Sequence, residues 1–231
     1  MTDNAAPEGE DQDPAGPQAA QLVYFADPMC SWCWGFKPSL LAVLETYGSR
    51  LPLRMIMGGL RAGNTKAMDA EQKATIRQHW EHVAEASGQP FRFDFFDQDG
   101  FVYDTEPACR AIVAAGEIAP DRVIPYLVAV QSGFYEENRD VTDPEVLADL
   151  SVDAGIDRDE FLEAFNDPEV ADATQQGFAL SQQIGVSGFP TVLIGADETG
   201  YDLLTAGFRK PDIMVQMVGD WLEQHGHEAV Q

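Results

Sequence analysis

Strand-type patterning occurs in this chain only in its first and last quarters, and helical periodicity fills the span from about Ala62 to Gln183 between them. Neither end holds enough strands to close a core alone. The two ends must therefore meet in one sheet, with the helical stretch inserted between them. In the first quarter, Leu22 to Phe25 is a short apolar run that predicts a buried strand, followed by a turn at Ala26-Asp27-Pro28-Met29. A helix is expected from about Cys30 to Tyr47, kinked at Pro38 and stopped at Gly48. Leu51 to Gly58 is the second strand, and a strand-helix-strand unit of this length requires a parallel crossover. In the last quarter, Pro190 to Ile194 is apolar and β-branched, Asp202 to Thr205 follows a turn at Gly200, and a helix starts near Pro211. The fold class is α/β, in the order β-α-β … β-β-α, with a helical domain inserted after the second strand.

Within the inserted stretch, Ile76, Trp80, Val83 and Ala84 recur at helical spacing, as do Val123, Leu127, Val130 and Phe134. Asp143-Pro144-Glu145 and Asp167-Pro168-Glu169 each read as an N-cap, a proline at the first helical position and an acid in the first turn. Phe91, Phe93, Phe95, Phe96 and Phe101 are expected to pack the insertion rather than to wall a peptide groove. The domain limits that follow are residues 22–61 with 184–225 for the sheet domain and 62–183 for the insertion. Residues 1–21, acidic and rich in Pro, Gly and Ala, are expected to be a disordered tail without the features of a secretory signal.

Formal charge is −25, with acids spread over the whole chain, so nucleic acid is excluded as a partner. No apolar run approaches the ~20 residues of a membrane helix, and a cytoplasmic location is expected. Three cysteines do not make a disulfide-stapled scaffold. Cys30-Ser31-Trp32-Cys33 therefore reads as a pair that cycles, placed at a strand-to-helix junction where the helix dipole favours thiolate. The second thiol is one turn on, placed to attack the mixed disulfide formed by the first. Zinc needs four ligands, and Cys109 and the four histidines lie far off without ligand spacing, so no metal is expected. Cys109 reads as a buried small hydrophobe, His79 and His82 as a solvated helix face, and His225 and His227 as C-terminal tail residues. Of Trp32 and Trp34, one is expected to pack inward and the other to rim the site.

An apolar strand, Cys-x-x-Cys opening a helix, a helical insertion, and then Gly188-Phe189-Pro190-Thr191 leading into a hairpin and a last helix resemble the DsbA-like branch of the thioredoxin superfamily. The string Pro28-Met29-Cys30-Ser31-Trp32-Cys33-Trp34-Gly35-Phe36 is similar to its cytosolic, FrnE-related subgroup, described as protein-disulfide isomerases or oxidoreductases. The resemblance implies a thioredoxin-like fold, with Cys30 as attacking cysteine, Cys33 as resolving cysteine and Pro190 as a cis-proline facing them. It implies that the backbone of Phe189 pairs with substrate, and that Ser31 and Trp32 tune the potential and border the substrate. The family's buried acid, six residues before the first cysteine, is replaced by Tyr24; Asp27 is the candidate proton relay, with shaping of the turn at Pro28 as its alternative. No organic cofactor is implied, and the expected partners are protein or small-thiol disulfides, glutathione among them. Two rivals stand beside this reading: a glutathione-dependent isomerase or transferase of the kappa and 2-hydroxychromene-2-carboxylate isomerase type, and a non-catalytic peptide-binding or chaperone module. Oligomeric state is not legible.

Overall fold

The computed structural model describes residues 20–226. Its sheet has four strands in the order β2-β1-β3-β4: β1 (Gln21–Ala26), β2 (Leu53–Met57), β3 (Thr191–Ala196) and β4 (Gly200–Ala206). β1 pairs in parallel with β2 on one side and antiparallel with β3 on the other, while β3 and β4 form an antiparallel hairpin. The two strand-bearing ends thus close one sheet through β1. Gln21, expected in the tail, instead opens β1: it pairs with Gly195, and its amide reaches the Tyr201 hydroxyl. Ala20, also expected in the tail, is buried in the core; residues 1–19 and His227 lie outside the described residues. β2 begins two residues later than expected, past Pro52, which has no N–H to give to a ladder but whose carbonyl accepts from the Leu22 N–H at 2.8 Å.

Pleating sorts the residues of β1 between two faces. Leu22, Tyr24 and Ala26 join the main core beside α1 (Ser31–Tyr47) and α8 (Pro211–Gln224), where Leu22 and Tyr24 share a wall with Phe36, Leu40 and Met214. Val23 and Phe25, with Ile56, meet Leu180 of α7 (Pro168–Gln183) on the other face. Pro38 sits inside α1 and removes the N–H that would bond the Trp34 carbonyl; the Gln89 side chain donates to that carbonyl instead, at 3.3 Å.

The insertion contributes α2 (Ala70–Ser87), α3 (Glu106–Ile118), α4 (Val123–Tyr135), α5 (Pro144–Asp153), α6 (Arg158–Phe165) and α7. Asp143 and Asp167 cap α5 and α7 by accepting from the Glu145 and Glu169 N–H groups, at 2.9 and 2.8 Å. Trp80 is the hub of the domain: Phe91, Phe93, Phe95, Phe96, Phe134 and Tyr135 surround it with centroids between 4.8 and 6.4 Å away. The phenylalanine cluster is therefore packing, which agrees with the sequence. The inserted helices pack against the sheet through α7 and against α1 through α2, where a Cβ on Gly35 would lie 2.7 Å from Val83 and force it to move.

Candidate active site

The turn after β1 delivers the first cysteine. The Cys30 N–H donates to the Asp27 carbonyl at 3.0 Å, Cys30 becomes the N-cap of α1 with extended backbone (φ −87°, ψ 117°), and Cys33 falls one turn inside the helix. Cys30 is 5% exposed and Cys33 fully buried, and both are free thiols. The Cys30 sulfur makes no capping bond to the first-turn N–H groups. It faces the backbone across from it instead, with Sγ donating to the Phe189 carbonyl at 3.5 Å. The Phe189-Pro190 peptide is cis, and Pro190 is buried. Cys30, Cys33, Phe189 and Pro190, drawn from opposite ends of the chain, thus share one site.

Asp27 lies fully buried beneath the turn, and its carboxylate is heavily engaged. Met29 and Leu60 donate their main-chain N–H groups to it at 2.8 and 2.7 Å, and the Cys109 thiol donates at 3.5 Å. Burial raises its pKa against the hydrogen bonds from Thr105, Leu60 and Met29. The carboxylate thus ties the turn to Leu60 and to the inserted helices, while Asp27 acts on Cys33 through both its backbone and its charge. Burial first, and then the hydrogen bond to Cys30, hold the Cys33 thiol well above its ordinary range. Cys109 is buried as expected, but its sulfur points at a carboxylate rather than at hydrocarbon; burial, then the Asp27 charge, push its pKa up.

Three buried tyrosines enclose the thiols, of which the sequence marked only Tyr24, at the position of the family's acid. Tyr24, on the α1 face of β1, has a hydrogen-bonding contact with Cys33, and burial keeps its hydroxyl protonated. Tyr103 donates to the Met29 carbonyl at 2.5 Å, one peptide before Cys30. Tyr135 stacks on Trp34, and its hydroxyl has no partner in good hydrogen-bond geometry although it lies near that of Tyr103. Strand alternation could have placed Tyr24; Tyr103 and Tyr135 arrive from the insertion, and no local signal marks them.

Ser31 and Trp32 are half-buried at the mouth, and Trp32 packs on Phe208 with centroids 5.8 Å apart. Trp34 is the inward tryptophan, fully buried with its indole N–H on the Pro90 carbonyl at 2.9 Å. Phe189 is half-buried, and its ring lies over Gly58: a Cβ there would come 1.9 Å from Cζ. His79 and His82 are exposed, and among the described residues no group of three or more histidines, cysteines or carboxylates is placed to hold a metal ion. A groove of about 430 Å³ between β2 and α3 is lined by Leu53, Met55, Ile112 and Val123 and by none of the thiol residues.

A dithiol at a strand-to-helix turn, its first sulfur facing a cis X-Pro peptide at the start of an antiparallel strand and its second sealed behind, is the arrangement of the thioredoxin-fold dithiol proteins. Within that class the chain belongs to the DSBA-like thioredoxin domain family, whose model matches residues 21–213. A Nitrosomonas europaea structure provisionally described as a protein disulfide isomerase is 38% identical and covers 90% of this chain and 100% of its own, with a TM-score of 0.84. The cytosolic disulfide reductase DsbM from Pseudomonas aeruginosa is 26% identical, covering 88% of this chain and 99% of its own, with a TM-score of 0.75. These neighbours agree with the FrnE-related branch and support, at the general level, a thiol–disulfide oxidoreductase. A curated relative, the ClpXP adapter protein SpxH of Halalkalibacterium halodurans, is 25% identical over 93% of this chain and 72% of its own length. Among the described residues no helix is long and apolar enough to cross a membrane.

Proposed function

We propose that this protein is a cytoplasmic thiol–disulfide oxidoreductase that reduces or isomerises protein or small-thiol disulfides through Cys30 and Cys33. The observation that carries the reading is the Cys30 sulfur, at the mouth of the site and 3.5 Å from the Phe189 carbonyl, with Cys33 sealed behind it. Cys30 as thiolate attacks a substrate disulfide, forming a mixed disulfide and releasing one substrate thiolate. Cys33 then loses its proton and attacks the Cys30 sulfur, releasing the second thiolate. The dithiol gives up two electrons, and its protons leave with the two substrate thiols.

Phe189 and Pro190 present the backbone against which an extended substrate lies, and Ser31 and Trp32 border it. Asp27 enters as a residue that sets the turn. A proton relay through it is the part of the scheme that the hydrogen bonds favour least, since Met29, Leu60, Thr105 and Cys109 already engage the carboxylate. The cytosolic reductase neighbour supports the location and the reducing direction. The intact Cys30-Cys33 pair weighs against the glutathione-dependent isomerase alternative.

The test is the reduction potential of the pair, measured in glutathione buffers with thiol trapping in a Cys109→Ala background. A reversible two-electron transition is expected, and about 30 mV in its position corresponds to about 1.4 kcal/mol. If no reversible pair forms, the redox reading is lost. A second reading, a binding module or protease adapter, is favoured by the curated relatives that carry the adapter name. Partner binding that survives Cys30→Ser would support it, because docking needs surface and not thiolate.

A further inference from the structure

β2 ends the sheet on its side, with β1 as its strand neighbour. The Leu22 N–H donates to the Pro52 carbonyl and the Gly58 N–H to the Ala26 carbonyl, both at 2.8 Å, so Arg54 and Ile56 between them also turn their main chain toward β1. Leu53, Met55 and Met57 turn theirs outward. Among the described residues none of those outward N–H and carbonyl groups is hydrogen-bonded. Gly177 of α7 closes the edge at Met57, since a Cβ there would lie 3.1 Å from the Met57 carbonyl oxygen. At Leu53 and Met55, both half-buried, the edge stays open.

Two grooves flank this edge, one on each face of the strand. On the core face, in about 430 Å³, Leu53, Met55, Ile112, Val113, Val123 and Ile124 make an apolar wall, and Glu117 is the one charged lining residue. The other, about 330 Å³, lies toward α7 and is more polar, with Arg54, Thr174 and Gln176 in its lining. Val113 and Glu117 line both, so α3 faces the strand edge across the opening. Open main-chain groups between an apolar and a polar wall fit an extended segment, whose backbone continues the ladder and whose side chains alternate between the walls. Glu117 is exposed and makes no ion pair among the described residues, in a chain of net charge −25, so the complementary segment is cationic. Residues 1–19, with five acids, three prolines and no lysine or arginine, have the wrong chemistry for it. β2 of a second copy is recessed between α3 and α7 in the same way and does not reach this edge.

We propose that the open edge of β2 docks an extended segment of a partner protein, apolar at alternate positions and carrying a lysine or arginine for Glu117, which adds to the sheet as a fifth strand. None of the residues at the dithiol lines either groove, so this site stands whether or not the redox reading does.

The experiment is fluorescence anisotropy on the full, reduced chain with the labelled, cysteine-free peptide Lys-Val-Thr-Val-Thr-Val-Lys. Saturable binding is expected, weaker when both lysines are replaced by glutamate. Methylating one alternate set of its amides, those of the valines or those of the threonines, should cost at least about tenfold, the worth of about two hydrogen bonds, while the other set costs little. Glu117→Gln should weaken binding about two- to fivefold, the range of an exposed ion pair. A Cβ on Gly116 would meet only Val123, at 3.9 Å, so Gly116→Leu fills the core-side groove without a clash at its base. It should abolish binding, keep the unfolding midpoint at or above that of the wild type, and leave the reduction potential of the dithiol unchanged. Cys30→Ser should not alter binding. No saturable binding of the lysine peptide, or binding that neither Gly116→Leu nor either methylation pattern weakens, overturns the proposal. Binding lost in Cys30→Ser would place the peptide at the dithiol, and a dimer in sedimentation that Gly116→Leu dissolves would give the edge to a second copy; each of these also overturns it.

Discussion

The sheet domain and the helical insertion contribute different things to one site. From the sheet and the turn and helix beside it come Cys30, Cys33 and the Phe189-Pro190 peptide, the groups proposed to meet a reacting disulfide. The insertion supplies what surrounds them: the Tyr103 hydroxyl on the Met29 carbonyl, the Tyr135 ring against Trp34, and Cys109 against Asp27. In the proposed reaction the sheet elements carry the chemistry, and the inserted helices add burial and hydrogen bonds beside it. This division accounts for the contrast between the two thiols, since Cys33 is raised chiefly by burial while Cys30 stays at the mouth.

The largest test of this contrast removes the hub of the insertion. Trp80→Ala empties the centre of an aromatic cluster, and losing a buried tryptophan costs about 3–5 kcal/mol. The denaturation midpoint should fall accordingly. If the dithiol then keeps its wild-type potential in the folded protein, the insertion does not set the environment of the thiols. At the seam, Gly58→Ala drives a methyl into the Phe189 ring and should cost about 1–3 kcal/mol of overpacking. It should also slow disulfide exchange, because the carbonyl facing Cys30 belongs to the displaced residue; stopped-flow thiol oxidation reads this directly.

Smaller effects follow from single hydrogen bonds. Tyr24→Phe deletes the hydroxyl against Cys33 and nothing else. A net hydrogen bond of about 1 kcal/mol predicts a severalfold longer-lived mixed disulfide, measurable by acid-quench trapping. An unchanged lifetime would leave Tyr24 with packing alone. Asp27 gives a pH signature. Its folded pKa is raised above 3.8, so its contribution to stability is complete below that value and is lost as pH rises through the folded pKa. Asp27→Asn should flatten this decline in urea midpoints measured from acid to neutral pH, and a slope identical to wild type would show that Asp27 does not titrate differently in the folded chain.

Much of this site was legible in the sequence because its signals are local. Cys30 and Cys33 at a strand-to-helix turn, Asp143 and Asp167 as caps, and the segregation of strands to the two ends depend on residues close in the chain, and the structure repeats them within a residue or two. Gln21 was misplaced because its partners, Gly195 and Tyr201, are nearly the whole chain away. The Cys30 sulfur was expected over the helix N–H groups; it bonds Phe189 instead, since the last quarter of the chain lies in front of it.

The order of elements, the thiol pair and the charge were determined by the sequence alone, because periodicity, spacing and composition survive without knowledge of contacts. Only the tertiary structure decided that the Asp27 carboxylate would accept from Leu60, Met29 and Cys109, that Tyr24 would meet Cys33, and that the Cys30 sulfur would face the Phe189 carbonyl. Those outcomes depend on which side chains from distant segments reach the same few ångströms of low-dielectric space, and folding, not order along the chain, brings them there.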